Sequence, residues 1–300
     1  MGSICCYGCN AFIPEDRFLN ILVTGASGQI GHFLLPLIVR QGHRCLCLSR
    51  HIHGDTQGVR WISGDLETGL EPIWDECGAD AWVHLAFLPL AIPHLEAAAK
   101  AGVKRFVGFS STSVFTRKGS GSSKEHQVIQ QLTEVETRVK SICQIHNVAW
   151  TLFRPTMIYG CGMDQNIAFI RRVIDRFGVF PVAGKGKGLR QPVHAEDLAF
   201  ACVAALHNKR TMNRAYNLGG GETLTYRDMT ERILGSLNRK SRIISINPAV
   251  YKCAVAIMRQ ISPRYAFIQA SMVDRMNMDM VFDHCDATND FDYDPRPFQP

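Results

Sequence analysis

Ile21-Leu22-Val23-Thr24-Gly25-Ala26-Ser27-Gly28-Gln29-Ile30-Gly31 decides the fold. Three consecutive apolar residues suit a strand buried on both faces. The glycines that follow, Gly25, Gly28 and Gly31, interrupt the run and open a stretch of helical periodicity reaching Gln41. A glycine triplet placed between a strand and a helix reads as a cradle for a dinucleotide pyrophosphate. Gly25 permits the tight turn, Gly28 lets backbone approach the phosphates, and Gly31 lets the helix pack close to the strand. Thr24, Ser27, Gln29 and Ile30 complete the cradle. The helix start adds free N–H groups and the positive end of its dipole.

Outward from this stretch the first half alternates strand and helix. Apolar runs predict strands at 18–23, 44–48, 59–63, 81–85, 105–109 and 149–153. Helical segments are expected at 29–41, 92–101 and 124–146, the last opened by a Ser122-x-x-Glu125 capping box. Such alternation builds a parallel sheet with helices on both faces, a Rossmann-type doubly wound α/β fold. After Arg154 the rhythm changes. Helices are expected at 166–177, 196–206, 226–237 and 249–260, and short strands at 192–194, 214–218 and 242–246. These read as a smaller C-terminal substrate lobe on the carboxyl edge of the sheet. The expected division is a leader over 1–17, a dinucleotide-binding domain over 18–180 and the substrate lobe over 181–300, with some chain exchange. The glycine-rich Ala183–Gly188 reads as a flexible turn, with a phosphate-facing role as the alternative.

Composition narrows the class. The 300 residues are 46% hydrophobic, enough for a sizeable core. Lys and Arg number 33 against 27 Asp and Glu, an excess read as spread along the chain without a basic run. No basic stripe with interleaved aromatics appears, so nucleic acid is not an expected partner. No apolar run reaches the roughly 18 residues that argue a membrane span. The first twenty residues lack the pattern of a secretory signal. Most of the eleven cysteines sit in apolar segments, as reduced thiols of a cytoplasmic protein do. Cys5, Cys6 and Cys9 form a cluster without the second ligand pair a zinc site needs, so no metal is expected.

The strand ends supply the rest of the cofactor site. The second strand closes on Ser49-Arg50, where an acidic residue would bind ribose hydroxyls; the guanidinium instead favours a ribose phosphate, and NADP over NAD. Asp65-Leu66 ends the third strand, where the carboxylate can accept from the adenine amino group. Leu85-Ala86-Phe87 ends the fourth and should line the floor under the cofactor.

Further motifs follow in order: Gly64-Asp65-Leu66, Val83-His84-Leu85-Ala86, Phe109-Ser110-Ser111-Thr112-Ser113-Val114-Phe115, Leu152-Phe153-Arg154-Pro155, Tyr159-Gly160, Arg190–Asp197 and Tyr216–Gly220. With the glycine loop they resemble the extended short-chain dehydrogenases, the NAD(P)-dependent epimerase/dehydratase family acting on nucleotide sugars. The likeness runs from about Asn20 to the end. It implies hydride transfer at a sugar carbon, a homodimer, and cofactor contacts from Ser110, Arg154 and Pro155. It implies that Ser111 holds the reacting oxygen with Thr112 beside it. Arg190 would grip a nucleotide diphosphate with help from Asn166.

One departure is decisive for mechanism. Family members carry a Tyr-x-x-x-Lys pair on the long helix, with a Glu eighteen residues before the Arg-Pro. Glu136 precedes Arg154 by that spacing, which puts Leu132 at the lysine position and Val128 at the tyrosine position. No tyrosine occurs between Tyr7 and Tyr159, so no other register supplies one. Lys118, Lys124, Glu125 and His126 are the nearby polar groups that could move a proton. Three readings follow: an enzyme using Ser111 with an unconventional proton carrier, a non-catalytic NADP(H)-binding sensor or assembly subunit, and a reductase needing no tyrosine.

Overall fold

The computed structural model describes residues 18–51, 53–68, 73–74, 78–115, 123–164, 166–237, 242–261 and 270–300. Side chains 123–126, 128, 258, 259, 261, 270 and 271 are outside the description. Cys5, Cys6, Cys9, Lys118 and Ser122 therefore lie outside it, as do the side chains of Lys124, Glu125, His126 and Val128.

The first half folds as strands β1 (Asn20–Thr24), β2 (Arg44–Ser49), β3 (Val59–Ser63), β4 (Ala81–His84), β5 (Arg105–Phe109) and β6 (Ala149–Pro155). Helices α1 (Gln29–Arg40), α2 (Leu95–Lys100) and α3 (Ser123–Ile145) connect them. A seventh strand, β11 (Arg214–Leu218), joins from the second half, giving the order β11-β6-β5-β4-β1-β2-β3. All six pairings are parallel. The order reverses between β1 and β4, the crevice where open α/β sheets take their ligands.

Alternation along each strand sorts side chains to the two faces. Ile21, Val23, Val83, Val107 and Phe153 pack into one apolar cluster with α1 and with α5 (Ala195–His207). Leu22, Trp82, Phe106 and Leu152 pack into the other, with α2 and α3. Burial on both sides is why these strands read as unbroken apolar runs. The helix expected at 92–101 is corrected to α2 at Leu95–Lys100, because Pro93 falls inside the expected range and Leu88–His94 is a 3₁₀ segment.

The second lobe does not begin at a single point. Strand β7 (Ile158–Tyr159) and helix α4 (Ile167–Phe177) precede residue 181, yet Tyr159, Ile167, Ile170 and Ile174 share a core with Phe180, Val182, Met229 and Ile233. Strand β8 (Val179–Ala183) pairs with β13 (Arg242–Ile246), and β9 (Leu189–Arg190) with β12 (Leu224–Thr225). Strand β10 (Val193–His194) pairs with β7, after which the chain returns to the large sheet through α5 and β11. Helices α6 (Tyr226–Gly235), α7 (Pro248–Ile261), α8 (Ala270–Arg275) and α9 (Cys285–Phe291) complete the chain. No helix among the described residues is long and apolar enough to cross a membrane.

Candidate functional site

Parallel strands deliver their C-terminal ends to one edge, and the expected cofactor residues gather there. Gly25 has φ +77°, and a Cβ on it would stand 2.7 Å from the backbone nitrogen of Ala86. Only glycine fits this turn. The Gly28 N–H closes the turn on the Gly25 carbonyl at 3.0 Å. A Cβ on Gly31 would stand 2.0 Å from the carbonyl oxygen of Ala26, so the first turn of α1 packs directly on the loop. Gly28 caps α1 without a side-chain bond, no acidic residue occupies the first turn, and Ser27 and Gly28 are exposed. The result is an open, electropositive helix start above the strand crevice.

Thr24 takes a different part from its neighbours. Its side chain is fully buried, and its hydroxyl accepts from Trp82 Nε1 at 3.0 Å and lies 2.8 Å from His84 Nδ1. His84 Nε2 reaches the Phe87 carbonyl at 3.2 Å. The bonds form one chain if Thr24 donates to a neutral His84 whose proton sits on Nε2. Burial pulls His84 down to about 4, while the Phe87 carbonyl opposes the shift and His94 adds to it. This polar thread holds the β1 and β4 ends together beneath the loop.

The ends of β2 and β3 carry the residues expected at the adenosine. Ser49 Oγ accepts from the His51 N–H at 3.1 Å and meets His53 Nε2 at 3.0 Å. His53 stacks on Trp61 at 4.1 Å. Arg50 is exposed beside them. Asp65 Oδ1 accepts from the Glu67 N–H, and the Leu66 carbonyl meets His94 Nε2 at 2.8 Å. Leu85 and Ala86 wall Gly25, and Phe87 stays 47% exposed at the rim.

Beyond the β5 and β6 ends lies a cavity of about 490 Å³. Ser111, Thr112, Asn166 and Arg190 all line it, together with Gln29 from the start of α1. Ser111 Oγ accepts from the Ser113 N–H at 3.1 Å and donates to Ser113 Oγ at 3.0 Å. Ser111 thus keeps one lone pair, and Ser113 its hydroxyl proton, for another partner. Thr112 is buried and donates to the Pro155 carbonyl, a bracing role. Asn166 is exposed at the start of α4, while Asp164 Oδ1 accepts from the Ile167 and Ala168 N–H groups. Arg190 is buried over the Tyr226 ring. Its Nη1 donates to the carbonyls of Leu189 and Met278, each at 2.7 Å, and its Nη2 to that of Arg275. Burial lowers its pKa to about 10, so it stays charged at neutral pH, and the three bonds to described residues use three of its five N–H donors.

Glu136 ties α3 to the end of β6. Its carboxylate accepts from Arg154 Nε at 2.9 Å and from Nη2 at 2.5 Å. Burial opposes its ionisation, but the Arg154 bond and charge outweigh it and leave the pKa low. Arg154 also lies over the Phe115 ring at 5.1 Å. One turn before Glu136, Leu132 is 5% exposed within the apolar cluster of that face. The residue expected at the lysine position is thus an apolar side chain packed into the core.

Several cavity residues were not singled out from the sequence. Ser113 lies in a quoted motif, but its bond to Ser111 depends on the 3₁₀ turn Thr112–Phe115. Tyr226, Tyr251, Met272 and Met276 arrive from the second lobe and carry no local signal. No group of three or more His, Cys, Asp or Glu among the described residues could hold a metal.

The sequence model of the NAD dependent epimerase/dehydratase family matches residues 21–93 and 89–219. An uncharacterized protein of Sinorhizobium fredii, y4nG, is 26% identical over 92% of this chain and 74% of its own length. The structure of an epimerase from Methanothermobacter thermautotrophicus superposes with a TM-score of 0.72 at 17% identity, covering 93% of this chain and 88% of that one. MoeE5, solved in complex with UDP-glucuronic acid and NAD, gives 0.71 at 20% identity, with 93% and 94% coverage.

Proposed function

The chain belongs to the NAD dependent epimerase/dehydratase family, and from that membership we propose that it uses a nicotinamide dinucleotide for hydride transfer at a hydroxyl- or keto-bearing carbon held in the Ser111 cavity. The glycine loop carries this reading. Gly25 and Gly31 leave no room for a Cβ, and the open start of α1 faces the edge where phosphates would lie. The loop thus fits a dinucleotide. When bound, the nicotinamide supplies or takes up the hydride. Exposed Arg50, with Ser49 in place of an acid, supports NADP over NAD.

The chain's own residues bind and orient. Ser111 Oγ offers its remaining lone pair to a substrate hydroxyl, and Ser113 offers its hydroxyl proton to a carbonyl oxygen. Arg190, fixed by three backbone carbonyls, presents its two remaining donors as a bidentate grip. With Asn166 it suits a diphosphate, and the UDP-glucuronic acid in MoeE5 supports a nucleotide sugar as the substrate class. Cofactor binding without turnover is the second reading, favoured by Leu132 being buried at the lysine position.

Incubation with NADPH or NAD⁺ and a panel of UDP-, dTDP- and GDP-sugars and their 4-keto forms, read by mass spectrometry and NMR, separates the two. Product formation that falls about 10²-fold or more in Ser111→Ala supports the enzyme. Confirmed cofactor binding with no product across the panel supports the binding protein.

A further inference from the structure

Helix α7 has two apolar faces, and among the described residues only one is covered. On the inner side Val255 is 1% exposed in a small core with Ala183, Val273 and Met276, and Tyr251 lines the cavity. On the outer side Val250, Cys253, Ala254 and Ile257 follow the i, i+3, i+4, i+7 spacing of a single stripe. All four are exposed, Val250 at 61% and Ile257 at 57%. Ile244 on the neighbouring β13 is 42% exposed as well.

In this stretch of sequence cations outnumber carboxylates. The net charge of +6 is not spread along the chain. Between Ile233 and Val273 there are six cations, Arg239, Lys240, Arg242, Lys252, Arg259 and Arg264, and no Asp or Glu; the other 27 cations balance the 27 carboxylates. Exposed Arg242 opens β13. At the other end of that strand the glycine-rich loop contributes exposed Lys185 and Lys187. Its Gly184 N–H donates to the Ile246 carbonyl at 2.7 Å, and a Cβ on Gly184 would stand 3.7 Å from Pro248 at the start of α7. The nearby carboxylates Asp274 and Glu231 are paired, with Lys252 and Arg227.

We propose that this face docks on an anionic phospholipid surface, with the α7 stripe entering the headgroup boundary and the flanking lysines and arginines meeting lipid phosphates. An amphipathic helix with an aliphatic face and basic flanks is suited to lie in that interface. A second copy of the chain would bring the same cations against each other. A nucleic acid would gain little from an aliphatic stripe, since bases stack on aromatic planes. Docking is independent of the chemistry proposed above. It would set the Tyr251 wall of the cavity beside the bilayer.

The test is co-sedimentation of the full chain with vesicles of phosphatidylcholine, with and without phosphatidylglycerol. Binding is expected only with phosphatidylglycerol, and added salt should weaken it. Ile257→Asp or Val250→Asp should lower the partition by about tenfold, and the Lys185→Glu, Lys187→Glu double variant by several-fold. Melting temperature and NADPH binding should be unchanged in all of them. The proposal is overturned if the wild type stays in the supernatant, or if the variants sediment as the wild type does. It is equally overturned if sedimentation velocity shows a dimer that Ile257→Asp splits, since the face would then be a self-interface.

Discussion

Glu136 and Arg154 show how one pair can carry a sequence argument into the structure. Their spacing alone suggested the register of α3, and the structure joins the two side chains by two hydrogen bonds. Both side chains are largely buried, at 6% and 16% exposure. Glu136→Gln would leave the guanidinium without its carboxylate and should cost on the order of 3 kcal/mol in urea unfolding. A loss below about 1 kcal/mol would place the pair among surface ion pairs of little weight. Ser111 and Arg190 were legible because each sits in a motif, and Asn166 through the family resemblance. Their roles toward a ligand remain part of the proposal, but the fold brings all three to one cavity. Tyr226, Tyr251 and Met276 were not legible, because only the docking of the second lobe brings them there. Thr24 was read as a cofactor contact from its place in the loop, and the structure turns its hydroxyl into the sheet instead.

At the scale of elements, the parallel strands were the most legible part. The expected ranges for β3, β5, β11 and β13 match the structure, because runs of alternating or continuous apolar residues are bounded by clear breaks. Strand β8 escaped notice because Pro181 interrupts it, and the pairing with β13 that supports it is remote in sequence. The Trp82–Thr24–His84–Phe87 thread links β1 to β4 and gives this junction a pH dependence. His84 is held neutral in the folded state, at about 4 against an ordinary 6.5. Its contribution is therefore complete above about pH 6.5 and is lost as pH falls toward 4, roughly 3 kcal/mol in all. His43 and His194 are lowered as well, chiefly by burial, and act in the same direction. Thermal melts across this range should show stability falling with acid. His84→Gln should be less stable at neutral pH, with a shallower acid limb. An equally steep limb in that variant would assign the acid loss to other groups.

For the whole molecule, the C-terminal segment is one tie between the large sheet and the second core. Arg296 bonds to Asp197 and Glu196 on α5, on the side of the large sheet. Two residues later Phe298 is 1% exposed in the core of the second lobe, edge-on to Tyr159 at 4.9 Å. Phe298→Ala should cost about 3–5 kcal/mol in equilibrium unfolding, and the second lobe should lose protection in hydrogen exchange before the large sheet does. Uniform loss across both lobes would mean that the tail supports the molecule as one cooperative unit. The change of rhythm after Arg154 was legible, and there the chain turns to the short pairs β7–β10 and β8–β13. Some chain exchange was expected but not its course, since α4 and β8 pack through contacts with chain that comes much later.

The central claim is that a chain without the usual tyrosine and lysine still moves a hydride at the Ser111 cavity. The most direct measurement is the near-ultraviolet absorbance of reduced nicotinamide when NADP⁺-loaded or NAD⁺-loaded protein is mixed rapidly with each sugar nucleotide of the panel. The account predicts an absorbance rise with at least one sugar, abolished in Gly31→Val, whose side chain would collide with Ala26, and strongly slowed in Ser111→Ala. Loaded protein that binds the sugar nucleotides but shows no reduced nicotinamide with any of them would contradict it.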